Sequence, residues 1–284
     1  MAGAKGFEPL NARTKTWCLT TWRRPSDSSI ITYQADLRHQ VFFSLLCYTW
    51  EMSNILQTRN LTKIYGRKSS AFKALNDIDL TIKKGETVAI IGKSGSGKST
   101  LMHVLALLDR PTEGKVIVEG RNSTNFKQSQ LNTLRNHRFG FVFQQFFMNA
   151  NDTVLENVML PLTIAGISRR TRKKRAIEAL KIVELEDKIK AKANDLSGGQ
   201  KQRVCIARAI VNNPEVIFAD EPTGNLDSAT GDRIINLLFD LNKEKGITLI
   251  IVTHDEDIAA MCGRQIQLKD GVVEKDTGAK GGDK

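Results

Sequence analysis

The stretch GKSGSGKST at residues 92–100 has the residue types and the spacing of a phosphate-binding loop. Glycines let a backbone curl so tightly that successive N–H groups point at phosphate oxygens. In such a loop the lysine reaches the β- and γ-phosphates and the next hydroxyl ligates Mg²⁺, which assigns these roles to Lys98 and Ser99. A glycine loop that serves only as a turn is the alternative. The residues expected to contact a nucleotide are Gly92, Lys93, Ser94, Gly95, Ser96, Gly97, Lys98, Ser99 and Thr100.

Two acidic residues downstream can complete such a site. The stretch VIFADE at residues 216–221 predicts a buried strand whose end presents Asp220 to the metal, directly or through water. Glu221, beside it, is well placed to act as the general base for an attacking water. A helix cap or a surface charge is the alternative for this pair. His254 follows another apolar stretch and could contact the γ-phosphate, although a lone histidine is usually structural.

These groups need a scaffold that brings several strand ends together. Buried strands are predicted at TVAIIG (87–92), FGFVFQ (139–144), EVIFAD (215–220) and TLIIVTH (248–254), with helical stretches between them. This alternation is typical of an α/β fold with a parallel core sheet, in which ligands bind at the carboxyl ends of the strands. The helix after the glycine loop has an apolar face formed by Leu101, Val104, Leu105 and Leu108.

The remaining segments extend this core. The stretches ILQTRNLTKIYG and ALNDIDLTI alternate apolar and polar residues and predict an N-terminal antiparallel β-subdomain. Strand signals vanish over about residues 146–196, where we expect an inserted α-helical subdomain. The stretch RQIQLKDGVVEKD predicts a hairpin that turns at Asp270 and Gly271. Residues 52–284 form the predicted domain, and residues 1–51 are interpreted as poorly structured or as a misannotated extension before a true start at Met52.

Composition limits the class of protein. The chain of 284 residues has a net charge of +11, and much of that charge lies in one run, RRTRKKR at residues 169–175. This run is interpreted as a solvated helix face, with contact to anionic lipid headgroups or to nucleic acid as alternatives. No stretch approaches the roughly 20 apolar residues that a membrane-spanning helix needs. The four cysteines, Cys18, Cys47, Cys205 and Cys262, lack the paired spacing of a zinc site.

A second glycine-containing stretch, LSGGQ at residues 196–200, has no use in a chain that already has one phosphate cradle. Taken alone, it is chemically adequate as a serine helix cap followed by flexible glycines. Together with the glycine loop, VIFADE, GNLD at residues 224–227 and His254, it makes residues 52–275 resemble the ATP-binding-cassette (ABC) ATPases. In that family, LSGGQ of one subunit closes over the ATP held in the phosphate-binding loop of another. The resemblance therefore implies a head-to-tail dimer in which Ser197, Gly198, Gly199 and Gln200 contact the partner's ATP.

The same resemblance implies roles for three more residues. Tyr65 would stack on adenine, although a tyrosine at a strand end is more often part of a core or its rim. Gln144 would be the glutamine that touches magnesium or the attacking water and links the site to the helical insertion. The neighbouring Gln145 is the alternative, and Gln144 is preferred because it directly ends the apolar strand. Asp227 would couple the two sites across the dimer.

Finer details resemble one branch of the family. The stretches LLDRPTEG, FVFQQ, DEPTGNLDSATG and VTHD are similar to those of lipoprotein-releasing, macrolide-exporter and cell-division ATPases. The resemblance implies an ATPase that uses ATP and Mg²⁺, pairs with a second, identical cassette and docks on an integral membrane permease at the cytoplasmic face of the membrane. No nucleic acid is expected. The alternatives are a soluble ABC-type ATPase acting on nucleic acid or ribosomes and a regulatory subunit that drives a periplasmic enzyme or sensor.

Overall fold

The structure is a computed structural model that describes residues 54–67 and 70–278. The described residues all fall in one compact unit. The expectations for residues 1–51, and the hypothesis of a start at Met52, lie outside the described residues. The division into an N-terminal extension and a cassette therefore stays a prediction.

The N-terminal strands form an antiparallel sheet with the order β2-β1-β4-β5. Its strands are β1 (Asn54–Tyr65), β2 (Phe72–Lys83), β4 (Glu113–Val118) and β5 (Arg121–Asn122). In β2, Ile78, Leu80 and Ile82 are buried and the residues between them are more exposed, because successive residues of a strand point to opposite faces. The predicted antiparallel β-subdomain is confirmed.

A second sheet of six strands has the order β10-β9-β3-β8-β7-β6. Its strands are β3 (Thr87–Ile91), β6 (Phe139–Phe143), β7 (Val216–Asp220), β8 (Thr248–Val252), β9 (Arg264–Lys269) and β10 (Val272–Asp276). Pairings from β9 across to β6 are parallel, and only the β9–β10 pairing is antiparallel. The β9–β10 hairpin turns at Asp270 and Gly271, both at positive φ, as the sequence predicts. The α/β fold with a parallel core sheet is confirmed.

The helices are α1 (Lys98–Leu105), α2 (Gln128–Arg138), α3 (Val154–Ile164), α4 (Arg169–Ile182), α5 (Gly198–Ile210), α6 (Ser228–Lys245) and α7 (Glu256–Met261). Residues 146–196 contain α3, α4 and two 3₁₀ turns, and within this fully described stretch no strand forms. The expected helical segment is therefore present between β6 and α5. In 54–67 and 70–278, no helix combines the length and the apolar character needed to cross a membrane.

The predicted apolar face of α1 is wrong at one position. Leu101, Val104 and Leu105 are fully buried, whereas Leu108 is 45% exposed. The helix ends at Leu105, and Leu107 has a φ of 57°, so the chain turns away before Leu108 can join the helical face.

Two apolar clusters cover the two faces of the parallel sheet. Val88 and Ile90 of β3 pack with α1 and the antiparallel sheet, while Ala89 packs with the cluster formed by α3 to α7. Because both faces of the parallel sheet are covered, the side chains on both sides of each strand are buried, and the strands have continuous apolar sequences. Covering both faces also leaves the strand ends as the positions where polar groups of this sheet reach solvent.

Candidate functional site

Strand register brings four candidate segments to one edge of the parallel sheet. Ile90 of β3 lies opposite Val252 of β8, and Val252 lies opposite Asp220 of β7. Asp220 in turn lies opposite Phe143 of β6. The glycine loop, His254, Glu221 and Gln144 follow these four strands, so they emerge side by side at the carboxyl edge.

The glycine loop is shaped by backbone conformations that favour glycine. Gly92, Gly95 and Gly97 have φ values of 149°, 78° and 101°. A Cβ on Gly92 would lie 2.3 Å from the carbonyl oxygen of Leu268, and one on Gly97 would lie 2.6 Å from that of Ala74. The loop is therefore seated on the backbones of neighbouring strands. Gly95 has nothing within 4 Å of its Cβ position, so this part of the loop faces open space.

The beginning of α1 fits a phosphate group. Gly97 is the N-cap, and no side chain of the described residues caps the helix, so its first N–H groups are left for another acceptor. The Nζ of Lys98 donates to the carbonyl oxygens of Gly92 and Lys93 at 2.8 and 2.9 Å. These contacts hold the ammonium group over the loop. Helix N–H groups, the helix dipole and a lysine together form a cradle for an anion.

Asp220 lies at the same edge, beside the beginning of α1. Burial raises the pKa of its carboxyl, and the neighbouring Glu221 adds to that rise. The charges of His103 and Lys98 and a hydrogen bond with Ser99 act in the opposite direction. A hydroxyl beside a carboxylate is an oxygen donor set of the kind that Mg²⁺ accepts, with its other positions filled by water and phosphate. The residues present therefore fit the ion.

Glu221 and His254 contact each other directly. The His254 Nδ1 and Glu221 Oε1 atoms are 2.8 Å apart. Glu221 has a φ of 46°, and its N–H donates to the carbonyl of Val252 at 2.9 Å. The Glu221 side chain is 19% exposed, whereas that of His254 is 77% exposed. A non-glycine residue at positive φ has a strained backbone, and such residues often cluster at functional sites. Glu221 is such a residue, and its carboxylate lies at the mouth of the site.

Gln144 lies against the loop that follows Glu221. A Cβ on Gly224 would lie 2.7 Å from the Gln144 Nε2 atom. The Asn225 Nδ2 donates to the Gln144 carbonyl oxygen at 2.8 Å. The structure therefore brings together Gln144, Glu221 and the GNLD segment, which lie far apart in the sequence.

Tyr65 is 40% exposed and is held by two residues that the sequence analysis missed. Its hydroxyl donates to Asp109 Oδ2 at 2.8 Å, and the Lys63 Nζ lies 4.8 Å from the ring centroid. Lys63 also donates to Asp109 Oδ1 at 2.7 Å. Although burial acts to raise it, the pKa of Asp109 is held below its ordinary value by these hydrogen bonds. The sequence could have indicated Lys63, because it lies two residues from Tyr65 in a strand and therefore on the same face. No pattern in the sequence places Asp109 near Tyr65.

LSGGQ forms the start of α5. Ser197 is the N-cap, its Oγ accepts from the Gln200 N–H at 3.3 Å, and Gln200 Oε1 accepts from the Ser197 N–H at 3.0 Å. This is a capping box, so the capping alternative describes the local structure correctly. A Cβ on Gly199 would lie 2.4 Å from Thr230 Cγ2, which shows how closely α6 approaches. The Ser197 side chain remains exposed.

Asp227 is the N-cap of α6. Its Oδ1 accepts from the Thr230 N–H at 3.0 Å, and the hydrogen bonds with Thr230 hold the pKa of Asp227 below its ordinary value. LSGGQ and the beginning of α6 line an open cavity of about 560 Å³. The atoms nearest to Gly198 and Gly199 belong to α6, the loop after β7 and Phe146, whereas those nearest to Gly92 and Gly97 belong to β2, β9 and the glycine loop itself. The glycines of the two stretches therefore have no nearest neighbour in common.

Comparison with known proteins identifies the family. A family model described as ABC transporter matches residues 75–224. The uncharacterized ABC transporter ATP-binding protein MJ0796 of Methanocaldococcus jannaschii is 46% identical over 233 residues, which cover 81% of this chain and 99% of that protein. The lipoprotein-releasing system ATP-binding protein LolD of Geobacter metallireducens is 45% identical over 79% of this chain and 100% of its own length.

Two further similarities bear on architecture. The macrolide export ATP-binding/permease protein MacB of Mannheimia succiniciproducens is 45% identical over 79% of this chain, but only 35% of that longer protein is covered. The dimeric structure of a post-hydrolysis state of the MJ0796 cassette bound to ADP and Pi matches with a TM-score of 0.72 and 46% identity, covering 78% of this chain and 97% of that chain. The chain thus belongs to the ABC transporter family, as an ATP-binding ATPase of the branch that resembles LolD, MacB and MJ0796.

Proposed function

We propose that two copies of this chain bind two Mg·ATP at shared sites, each made by the glycine loop of one copy and LSGGQ of the other, and that hydrolysis drives an integral membrane permease. One observation carries the shared site: LSGGQ presents an exposed serine and two glycines at a helix N-terminus, and none of the atoms nearest to Gly198 and Gly199 belongs to the glycine loop of the same chain. A helix start of this kind suits a phosphate. The dimer of the similar MJ0796 cassette supports the pairing.

Nucleotide binding uses the glycine loop and its flanks. The backbone N–H groups of residues 92–100 and the Lys98 ammonium hold the phosphates, and Tyr65 offers its exposed ring to adenine. Ser99, Asp220 and Gln144 are the proposed holders of Mg²⁺. When bound, this ion neutralises the charge on the β- and γ-phosphate oxygens.

Hydrolysis depends on the carboxylate of Glu221. It accepts a proton from the water that attacks the γ-phosphorus, while the bond to the ADP oxygen breaks. His254, 2.8 Å from Glu221, orients that carboxylate and presents its ring towards the γ-phosphate. Gln144 orients the water. Ser197, Gly198, Gly199 and Gln200 of the other copy close over the γ-phosphate, and Asp227 beside them couples the two sites.

Replacing the base tests this mechanism. Glu221→Gln keeps the shape and the contact to His254 but cannot accept the proton, so the ATPase rate should fall about 10²- to 10⁴-fold while ATP affinity is kept. Glu256→Gln is the matched control, because Glu256 is an exposed carboxylate at the start of α7, after the neighbouring strand. Wild-type hydrolysis by the Glu221 variant would refute the base assignment.

The names of LolD and MacB, which refer to lipoprotein release and to a fused permease, support a membrane permease as the partner, and a peripheral location at the cytoplasmic face is proposed together with it. The test is recovery of tagged Glu221→Gln protein from detergent-solubilised membranes with ATP and Mg²⁺, followed by mass spectrometry. A stoichiometric integral membrane protein that is lost when Lys98→Ala is added supports the proposal. Ribosomal proteins or nucleic acid in its place would contradict it and would assign the exposed basic residues of α4 to that contact.

A further inference from the structure

Helix α5, which begins with LSGGQ, carries a polar stripe directed at the backbone around Gln144. The stripe consists of Gln202, Cys205 and Arg208, spaced at i, i+3 and i+6, so that each residue neighbours the next along one side of the helix. The helix lies very close to β6, because a Cβ on Gly140 would be 2.7 Å from the carbonyl oxygen of Ala209. A short distance between the two elements lets side chains of α5 reach main-chain atoms at the end of β6.

Gln202 joins two loops of the site with a single nitrogen atom. Its side chain is almost completely buried, and its Nε2 donates to the carbonyl oxygens of Phe143 at 3.2 Å and Pro222 at 2.6 Å. Phe143 immediately precedes Gln144, and Pro222 immediately follows Glu221. One amide therefore bridges the two loops that supply the proposed water-orienting group and the proposed base.

An amide suits this position, whereas a carboxylate does not. Two carbonyl acceptors require two N–H donors, which the Gln202 amide provides and a carboxylate does not. A buried carbonyl left without a donor costs about 1–3 kcal/mol. The Oε1 atom of Gln202 has no partner among the residues that the structure describes, so the amide makes its contacts entirely through its donor end.

The other two members of the stripe hold the chain just after Gln144. Arg208 donates through Nη1 to the Phe147 carbonyl at 2.7 Å and through Nη2 to the Phe146 carbonyl at 3.2 Å. The Cys205 thiol donates to the Phe146 carbonyl at 2.9 Å, and burial raises its pKa to about 11, which keeps it protonated. The backbone on both sides of Gln144 and Gln145 is thus fastened to α5.

We propose that Gln202, assisted by Arg208, is a positioning residue that fixes Gln144 relative to Glu221 and makes both move with the LSGGQ helix. This inference rests on the proposed function. In the proposed dimer, LSGGQ contacts the partner's ATP while Gln144 and Glu221 serve the ATP of their own chain. Gln202 then links one site to the other through a single rigid helix.

Gln202→Met and Gln202→Glu test the inference. Met keeps the volume without donors, and Glu places an oxygen where the Nε2 atom of Gln202 meets both carbonyls. We expect the ATPase rate at saturating Mg·ATP to fall about 10- to 100-fold, more for Glu, because a misplaced group near the reacting atoms costs this much. The dissociation constant of a non-hydrolysable ATP analogue should stay within about threefold, since Gln202 does not touch the glycine loop.

Asn242→Leu is the matched control. The Asn242 Nδ2 also bridges two carbonyls, those of Gly85 at 2.9 Å and Ile247 at 2.7 Å, but these lie where β3 and β8 begin, at the opposite edge of the sheet. It should lower the melting temperature as the Gln202 variants do, yet keep the ATPase rate. If neither Gln202 variant folds, Arg208→Lys is the substitute test. It keeps the charge but loses the simultaneous hydrogen bonds to two carbonyls, so it should lower the ATPase rate without changing the affinity for the ATP analogue.

Two results would overturn the inference: a folded Gln202→Met protein with the wild-type rate, or an equal loss of rate in Asn242→Leu. The proposed function fails separately, if Glu221→Gln hydrolyses ATP normally. An inactive Glu221 variant beside a fully active Gln202 variant would remove only the positioning role.

Discussion

The exposed hydroxyl of Ser197 has two separable uses, and one substitution distinguishes them. It caps α5 in this chain, and it is proposed to meet the γ-phosphate of ATP bound to another copy. Ser197→Asp keeps the cap, because aspartate and serine are about equally good N-cap residues. It also places a negative charge where the proposed phosphate lies. Ser197→Asn keeps the cap without the charge and is the matched control.

The size of the effect follows from the position of Ser197. A carboxylate about 4 Å from a phosphate charge costs about 4 kcal/mol at an effective dielectric constant near 20. Because the side chain is exposed, solvent and salt reduce this to about 1–2 kcal/mol for each site. A dimer contains two such sites, so its dissociation constant should rise roughly 30- to 1000-fold. The cap itself should lose nothing, since a negative charge near a helix N-terminus is favourable.

The assay is ATP hydrolysis as a function of protein concentration, together with melting curves and ATP binding by dilute protein. We expect Ser197→Asp to melt at or above the wild-type temperature, to bind ATP normally and to lose hydrolysis at concentrations where wild type and Ser197→Asn are active. Wild-type hydrolysis by a folded Ser197→Asp protein would show that the serine only caps the helix.

Three further substitutions probe the glycine loop and its surroundings. Lys98→Ala should weaken ATP binding by at least about tenfold in titration calorimetry, because a hydrogen bond to a charged group contributes about 1.5–3 kcal/mol. Gly97→Ala should melt several degrees below Gly95→Ala, since both have positive φ but only Gly97 has a carbonyl oxygen 2.6 Å from the added methyl group. Asp109→Asn should lower stability at pH 7 by up to about 1 kcal/mol in urea unfolding. The pKa of Asp109 in the folded protein lies below 3.8, the ordinary pKa of an aspartate carboxyl. The difference in the free energy of unfolding should therefore disappear as the pH falls below 3.8, because acid then removes the charge that attracts Lys63.

Groups that follow apolar strands were the most predictable part of the site. An apolar run of about five residues that is followed by glycine or polar residues predicts a buried parallel strand. The carboxyl ends of parallel strands lie at one edge of the sheet, where ligands bind. The positions of the glycine loop, Asp220, Glu221 and Gln144 at that edge follow from this rule. The strands themselves are shorter than predicted, because β6 ends at Phe143 and β8 ends at Val252, before the polar residues begin.

Contacts between distant segments could not be predicted in the same way. Asp109 holds Tyr65, and Gln202 bridges Phe143 and Pro222, through hydrogen bonds that depend on how separate elements pack. A helix period identifies which face of α5 is buried but not which carbonyls that face will meet. The error at Leu108 has a related cause, since the apolar period continues in the sequence beyond the point where the backbone leaves the helix.

The central claim is that ATP joins two copies of this chain, and the molar mass of the Glu221→Gln protein tests it most directly. Light scattering during size-exclusion chromatography should give the 31.6 kDa chain without nucleotide and twice that mass with ATP and Mg²⁺. Adding Lys98→Ala should return the mass to that of one chain. A Glu221→Gln protein that binds ATP to saturation and remains a single chain, at concentrations above those used for hydrolysis, would contradict the shared site.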